Sequence, residues 1–237
     1  LAQGEATRAR WGHYLGGTFF YAGEWYWGID RLYHLEQRLQ ALRAQRDGMP
    51  PGLMFPPPVD LQQARAAPVP SFDFFLSLRS PYTAIVVQRV VDGDTVWVSG
   101  LGAVRLIGVD TPEVVDPRHT GAQLHLRPVL PMAMRGLAVP RAKRMYIAWD
   151  AAREARARGV PFGRLLDPLG LATERGLAVL DAAIRAGRGD AFLLSFLRGV
   201  WAEGVDAGSD AGLRRLAARA GLSWGQVQDA LGDKAWR

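Results

Sequence analysis

The chain has 237 residues, 49% of them hydrophobic and 22% charged, with 29 Lys and Arg against 23 Asp and Glu for a formal net charge of +6. These proportions allow a real core and favour polyanionic partners only weakly, because the basic residues are spread rather than clustered. Cysteine is absent, which excludes disulfides, Cys-ligated zinc, a Cys nucleophile and any CxxC redox centre.

The four histidines (His13, His34, His119, His125) show no HExxH spacing, so a zinc hydrolase has no support. No apolar run approaches a membrane span, and the opening "LAQGEATRARWGHY" lacks a signal-peptide pattern. The expectation is a cytoplasmic protein with no membrane partner. Its first residue is Leu rather than Met, as in a piece of a longer chain.

In chain order, Tyr14–Leu42 predicts a β-hairpin followed by a helix. Aromatics flank a turn at Ala22-Gly23, and Leu32, Leu35, Leu39 and Leu42 recur at helical spacing. Between Asp47 and Ser71 lie seven of the fifteen prolines, the composition of an extended linker. "FDFFLSL" then reads as an apolar strand, "RSPY" as a turn and "AQLHLRPVL" as a further strand. Helices are expected at Arg141–Arg158, Ala172–Ala186, Asp190–Glu203, Asp210–Ala220 and Ser223–Leu231, with Gly187, Gly189, Gly204 and Gly221 as stops. Strands followed by helices predict a mixed α and β domain with a helical layer or insertion.

The stretch "VVDGDTVWVSGLGAVRLIGVDTPE", Val90–Glu113, is the densest in chemistry. Strand-like runs at Val86–Val91, Thr95–Val98 and Ala103–Val109 predict a three-stranded meander punctuated by Asp-Gly and Ser-Gly-Leu-Gly. Asp92 and Asp94 flank one turn, while Asp110 and Glu113 follow the third strand. Oxygen ligands brought together there would suit Ca²⁺ or Mg²⁺, and Arg105 could hold a phosphate. Taken separately, the two halves are also common turns. Together they resemble the staphylococcal-nuclease family signature, a DGDT turn followed by RLIGxDTPE. That resemblance implies an OB barrel, with Asp94, Asp110 and the Thr111 carbonyl as Ca²⁺ ligands, Arg105 on the phosphate and Glu113 as general base acting on nucleic acid. The family's second catalytic arginine, well downstream, has no counterpart in this chain, and Arg118 lies too near to replace it.

With about Gly93–His119 set aside, the flanks read continuously. "FDFFLSLRSPYTAIVVQRVVD", "RPVLP", "KRMYIAWDAAREARARGVPF" and "FLRGVWAEGVDAGSDAGLRRLAARAGL" resemble, in order, the DsbA-like thioredoxin superfamily. The branch is that of 2-hydroxychromene-2-carboxylate isomerase and kappa-class glutathione transferase. In it a serine replaces the redox cysteine at the first strand-to-helix turn, and Ser80 matches. The resemblance implies that Ser80 hydrogen-bonds a glutathione thiolate beside a small aromatic substrate; the alternative is that it only caps a helix begun by Pro81. "GGTFFYAGEWYWGIDRLYHLEQRL" resembles the closing hairpin and helix of the same family, with Asp30 and Arg31 at glutathione-contacting positions and Gly17 where a cis-proline stands.

The fold class expected is therefore α/β: an incomplete thioredoxin-like fold with a helical insertion and an inserted OB-like meander. Residues 1–46 would be the tail of one DsbA-like domain, 47–71 a linker, and 72–237 a second, truncated domain interrupted at 86–119. A circular permutation, with the hairpin completing the second sheet, is the other arrangement. Expected activities are a glutathione-dependent isomerase, a Ca²⁺-dependent nuclease or a non-catalytic scaffold, with a homodimer among the expected assemblies. "LAARAGLSWGQVQDAL" also has helix-turn-helix spacing, but any short αα-hairpin with a Gly turn produces it. The "EWYWG" aromatics could stack bases, though on a hairpin they are more often cross-strand pairs. Met132 and Met134 are expected to fill core gaps.

Overall fold

The computed structural model describes residues 2–44, 46, 48, 71–91, 123–233 and 236. They divide into two compact units: one comprises the described residues up to 48 with Pro140–Tyr146, the other the described residues from Ser71 to Val139 and from Ile147 onward.

The first unit opens with α1 (Ala2–Trp11), which buries no residue. It has no apolar stripe to mark it, and the sequence reading missed it. Strands β1 (Thr18–Tyr21) and β2 (Glu24–Trp27) pair antiparallel with Phe20 opposite Trp25. Their turn is Ala22-Gly23, with φ of 48° and 85°. Positive φ at both central residues is the type I′ turn that twists with its strands, so Gly23 suits it and Ala22 is strained. The Phe20 and Trp25 rings lie 4.7 Å apart, the cross-strand pairing expected of "EWYWG". A 3-10 turn, Ile29–Arg31, leads into α2 (Leu32–Ala41).

In the second unit, β3 (Ser71–Leu76) and β4 (Gln123–Pro128) pair parallel, Ser71 opposite Gln123 through Leu76 opposite Pro128. Alternation is visible across the pair: Leu76 is buried and Phe74 and Leu126 pack on the core, while Asp73 and Arg127 are exposed and joined at 2.8 Å. Parallel neighbours need a crossover, and α3 (Pro81–Val91) lies within it.

That helix corrects the strand expected at Val86–Val91. The β-branched run suggested extended structure, but a capped N-terminus and packing decide otherwise. Ala84 and Val87 enter the main core, and Ile85 packs with Ala151, Ala155 and Val160. The remainder of the expected meander, from Asp92 to Glu113, lies outside the described residues.

After β4 comes a 3-10 turn at Met132–Arg135, where Met132 is exposed rather than core-filling. Five helices follow, close to the expected positions: α4 (Arg141–Ala157), α5 (Leu171–Arg185), α6 (Gly189–Ala202), α7 (Asp210–Arg219) and α8 (Trp224–Gly232). The first residues of α4, through Tyr146, belong to the first unit. Helix α6 carries a near-continuous apolar run and packs against α3, α5 and α7. Phe192, Phe196, Leu193 and Leu197 are essentially inaccessible.

Gly176 on α5 is one place where the backbone comes very close to this core. A Cβ there would sit 2.5 Å from Phe196 Cε2 and 2.7 Å from Leu78 Cδ1. Ser209 and Ser223 cap α7 and α8, the latter in a reciprocal box with Gln226. In the α7–α8 pair, Ala217 and Val227 are buried in the core, which accounts for the helix-turn-helix-like spacing.

Candidate functional site

The turn between β3 and α3 carries Ser80, the one expected catalytic residue that lies among the described residues. Ser80 N donates to Ser77 O at 3.0 Å, closing a four-residue turn. Leu78 in that turn is fully buried, and its carbonyl accepts from Trp201 Nε1 at 3.3 Å. The turn is therefore pinned to α6 from below.

Pro81 then starts α3, where its missing N–H costs nothing. Ser80 caps the helix: its Oγ accepts from Thr83 N at 3.3 Å, and its carbonyl accepts from Ala84 N at 3.3 Å. A hydroxyl that accepts a cap bond still has one proton to donate, and among the described residues nothing accepts it. The cap and a ligand-facing donor are therefore compatible in one side chain.

Several residues around this turn were not found from the sequence. Arg79, immediately before Ser80, makes a forked ion pair with Asp167, Nε to Oδ1 at 2.8 Å and Nη2 to Oδ2 at 2.7 Å. Asp167 is itself held, since its Oδ1 accepts from Leu169 N at 3.2 Å. Buried Thr173 donates from Oγ1 to Pro168 O at 2.5 Å, and Leu166 N donates to Val200 O at 2.9 Å. The loop from Gly163 to Leu171 is thereby tied to α6 and to the Ser80 turn. It exposes Leu165, Leu166, Leu169 and Leu171. The two partners are 88 residues apart, and no spacing rule joins them.

A second network lies against the other side of α3. Tyr82 Oη donates to Asp150 Oδ2 at 2.7 Å, and Arg153 Nη2 bonds Asp150 Oδ1 at 2.6 Å. Asp150 and Glu154, one turn apart on α4, are both buried, and Arg158 approaches Glu154 at 2.5 Å. Buried carboxylates persist only when partnered in this way. Two acids four apart within an Ala-rich helix were the available signal. The network fixes the first turn of α3, on which Ser80 sits.

Asp30 and Arg31 lie in the 3-10 turn of the first unit, whereas Ser80 belongs to the second. Arg31 is buried. Gly17, at the position matched to a cis-proline, has φ +66° and accepts from Gly28 N at 3.0 Å. Proline's ring holds φ near −65°, so no proline could take this conformation. The catalytic and metal positions of the nuclease-like stretch, Arg105, Glu113, Asp94, Asp110 and Thr111, lie outside the described residues. Among the described residues no group of three or more His, Asp or Glu could hold a metal ion, and no helix is long and apolar enough to cross a membrane.

His13 is one of the buried titratable groups of the first unit, with Arg31 and His34. It is 4% exposed, its Nδ1 lies 2.9 Å from Leu15 O, and its Nε2 is buried with no hydrogen-bond partner. Its ring packs 4.9 Å from Trp25 and 5.0 Å from Tyr146. Burial holds its pKa below the usual histidine value; the Leu15 carbonyl opposes that shift and the nearby Arg8 charge adds to it.

No family model matches the chain, and no curated protein does. Among solved structures, it is similar to a candidate protein disulfide isomerase from Nitrosomonas europaea, at 13% identity and TM-score 0.48, covering 71% of this chain and 72% of that one. A candidate DsbA oxidoreductase from Streptomyces coelicolor overlays at 18% identity and TM-score 0.42, covering 70% of this chain and 68% of that one. A 2-hydroxychromene-2-carboxylate isomerase overlays at 15% identity and TM-score 0.47, covering 70% of this chain and 73% of that one. All three TM-scores lie below 0.5, so nothing about the chemistry of this chain follows from them.

Proposed function

We propose that this chain is a Cys-free, DsbA-like protein whose Ser80 turn binds the thiolate of glutathione and supports an isomerase-like reaction. The observation that carries the reading is Ser80 itself. It stands between a parallel strand and the helix that crosses over from it, capping the helix with one lone pair while its proton remains available.

A thiolate at that point would accept the Ser80 O–H and sit at the positive end of α3. Its sulfur would add to one carbon of an unsaturated aromatic substrate, leaving the electron pair conjugated with the substrate's carbonyl. Rotation about the resulting single bond and expulsion of the thiolate would then give the other geometric isomer. Glutathione is regenerated, so the step needs no redox partner, in keeping with a chain that has no cysteine. Exposed Leu165, Leu166 and Leu169, on the loop anchored to the same turn, would offer such a substrate an apolar surface.

Retention on immobilised glutathione tests the reading. The wild type and Ser80→Thr should be retained and Ser80→Ala should pass through; equal retention of Ser80→Ala would contradict it. Flow-through of all three would leave a non-catalytic scaffold as the better description.

A Ca²⁺-dependent nuclease is the second reading, favoured by the order DGDT then RLIGVDTPE between Asp92 and Glu113. Asp94, Asp110 and Thr111 would hold the ion, Arg105 the phosphate, and Glu113 would activate water. Calcium-dependent cleavage of single-stranded DNA, abolished in Glu113→Gln, is its test. No cleavage at high protein concentration would end it.

A further inference from the structure

We infer that Arg79 is a carboxylate-binding residue, held in place by Asp167 so that its unused edge receives the carboxylate of a ligand at the Ser80 turn. The inference rests on the thiol-binding reading of Ser80 and adds a recognition group to it.

A guanidinium has five N–H donors in a planar fork, enough for two carboxylates on two different edges. Asp167 takes the Nε and Nη2 side in two bonds of 2.8 and 2.7 Å. Nη1 has no partner among the described residues, and Nη2 has a second proton beside it. These form a second fork with the spacing that a carboxylate accepts bidentately.

The Arg79 side chain is 15% exposed, so it is largely covered yet not sealed from solvent. Asp167 is oriented by Leu169 N, and its loop by Thr173 and Val200. The open edge therefore has a fixed direction, and little side-chain entropy remains to be lost on binding. An arginine needed only to hold the loop would not have to stand next to the residue that faces the ligand. Here the two are consecutive, Arg79 then Ser80.

Glutathione and ophthalmate, its analogue with a methyl group in place of the thiol, separate this inference from the Ser80 reading. Calorimetric titration of both into the wild type, Arg79→Gln, Arg79→Lys and Ser80→Ala is the experiment, with glutathione diethyl ester as the carboxylate-free control. Arg79→Gln should lose about tenfold or more in affinity for both peptides, as expected for a lost charge-assisted fork, and be unchanged toward the ester. Arg79→Lys, which keeps charge but not the fork, should fall between wild type and Arg79→Gln.

If Arg79→Gln binds ophthalmate like the wild type, the Arg79 inference is overturned. The Ser80 reading still stands in that case provided Ser80→Ala loses glutathione selectively over ophthalmate. Ophthalmate binding that depends on Arg79, with no effect of Ser80→Ala on glutathione, leaves Arg79 standing and removes the Ser80 reading. No binding of either peptide to the wild type at millimolar concentration overturns both.

Discussion

The first unit buries Tyr26, Tyr33, His13, Arg31 and His34, whereas the second buries a continuous aliphatic and phenylalanine core running from Leu76 through Leu180, Phe192 and Phe196 to Leu213. The first unit buries a histidine and an arginine among its rings, so it should respond to charge as well as to volume. The second is closed tightly enough that one added methyl group would overlap a phenylalanine ring. The candidate site lies in the tighter unit, on a turn anchored from below by Leu78 and Trp201. Close packing under a functional turn fixes its hydroxyl and guanidinium in direction.

Phe196→Ala should give the largest loss, about 3–5 kcal/mol, because it opens a cavity at the crossing of α5 and α6. Urea titration followed by far-UV circular dichroism would measure it, and a loss under about 1 kcal/mol would mean that the second core is loose. Gly176→Ala should cost about 1–3 kcal/mol by overpacking, since Phe196 and Leu78 must both shift. A neutral or stabilising Gly176→Ala would contradict the closeness of that approach.

In the first unit the test is pH. His13 is buried with its pKa depressed, so the unfolded chain takes up the proton first. Stability is unaffected above about pH 6.5, falls as pH drops through the unfolded value, and levels off once the folded pKa is passed. Arg8 Nη1 donates to the His13 carbonyl at 2.8 Å, and Lys143 Nζ lies 5.8 Å from the Tyr14 ring stacked on His13. Thermal melts between pH 7.5 and 5 should therefore slope downward in the wild type and less so in His13→Phe; identical slopes would remove His13 as the cause. Glu203, whose pKa is lowered chiefly by its Arg219 bond, loses its contribution only as pH falls through the carboxylate range, so the two effects separate. The smallest effect, about 1 kcal/mol, is expected for Ser223→Ala, which removes one half of the α8 capping box. A change within a few tenths of a kcal/mol would mean that α8 is held by packing alone.

Local chemistry made much of this fold legible. Ala22-Gly23 between aromatics gave the hairpin, and glycines at 187, 204 and 221 marked helix ends that the structure places with φ near +65° to +75°, whereas Gly189, expected as a stop, begins α6. Ser80-Pro81 announced a capped helix. Val86–Val91 reads as a strand because four of its six residues are β-branched valines, while burial of Ala84, Ile85 and Val87 against two different clusters makes the segment helical. The α1 helix was missed because an amphipathic pattern was the signal sought and it has none. At the candidate site only Ser80 was visible beforehand. Arg79–Asp167 and Tyr82–Asp150 depend on chain folding over 88 and 68 residues, which no local pattern encodes.

The most direct measurement is an amide chemical-shift map of the ¹⁵N-labelled protein titrated with reduced glutathione. The account predicts that the Arg79, Ser80 and Thr83 amides shift together and saturate, and that the Ser80→Ala protein shows no such shifts at equal ligand. Shifts that saturate elsewhere while these three amides stay fixed would contradict the assignment of the Ser80 turn as the thiol site.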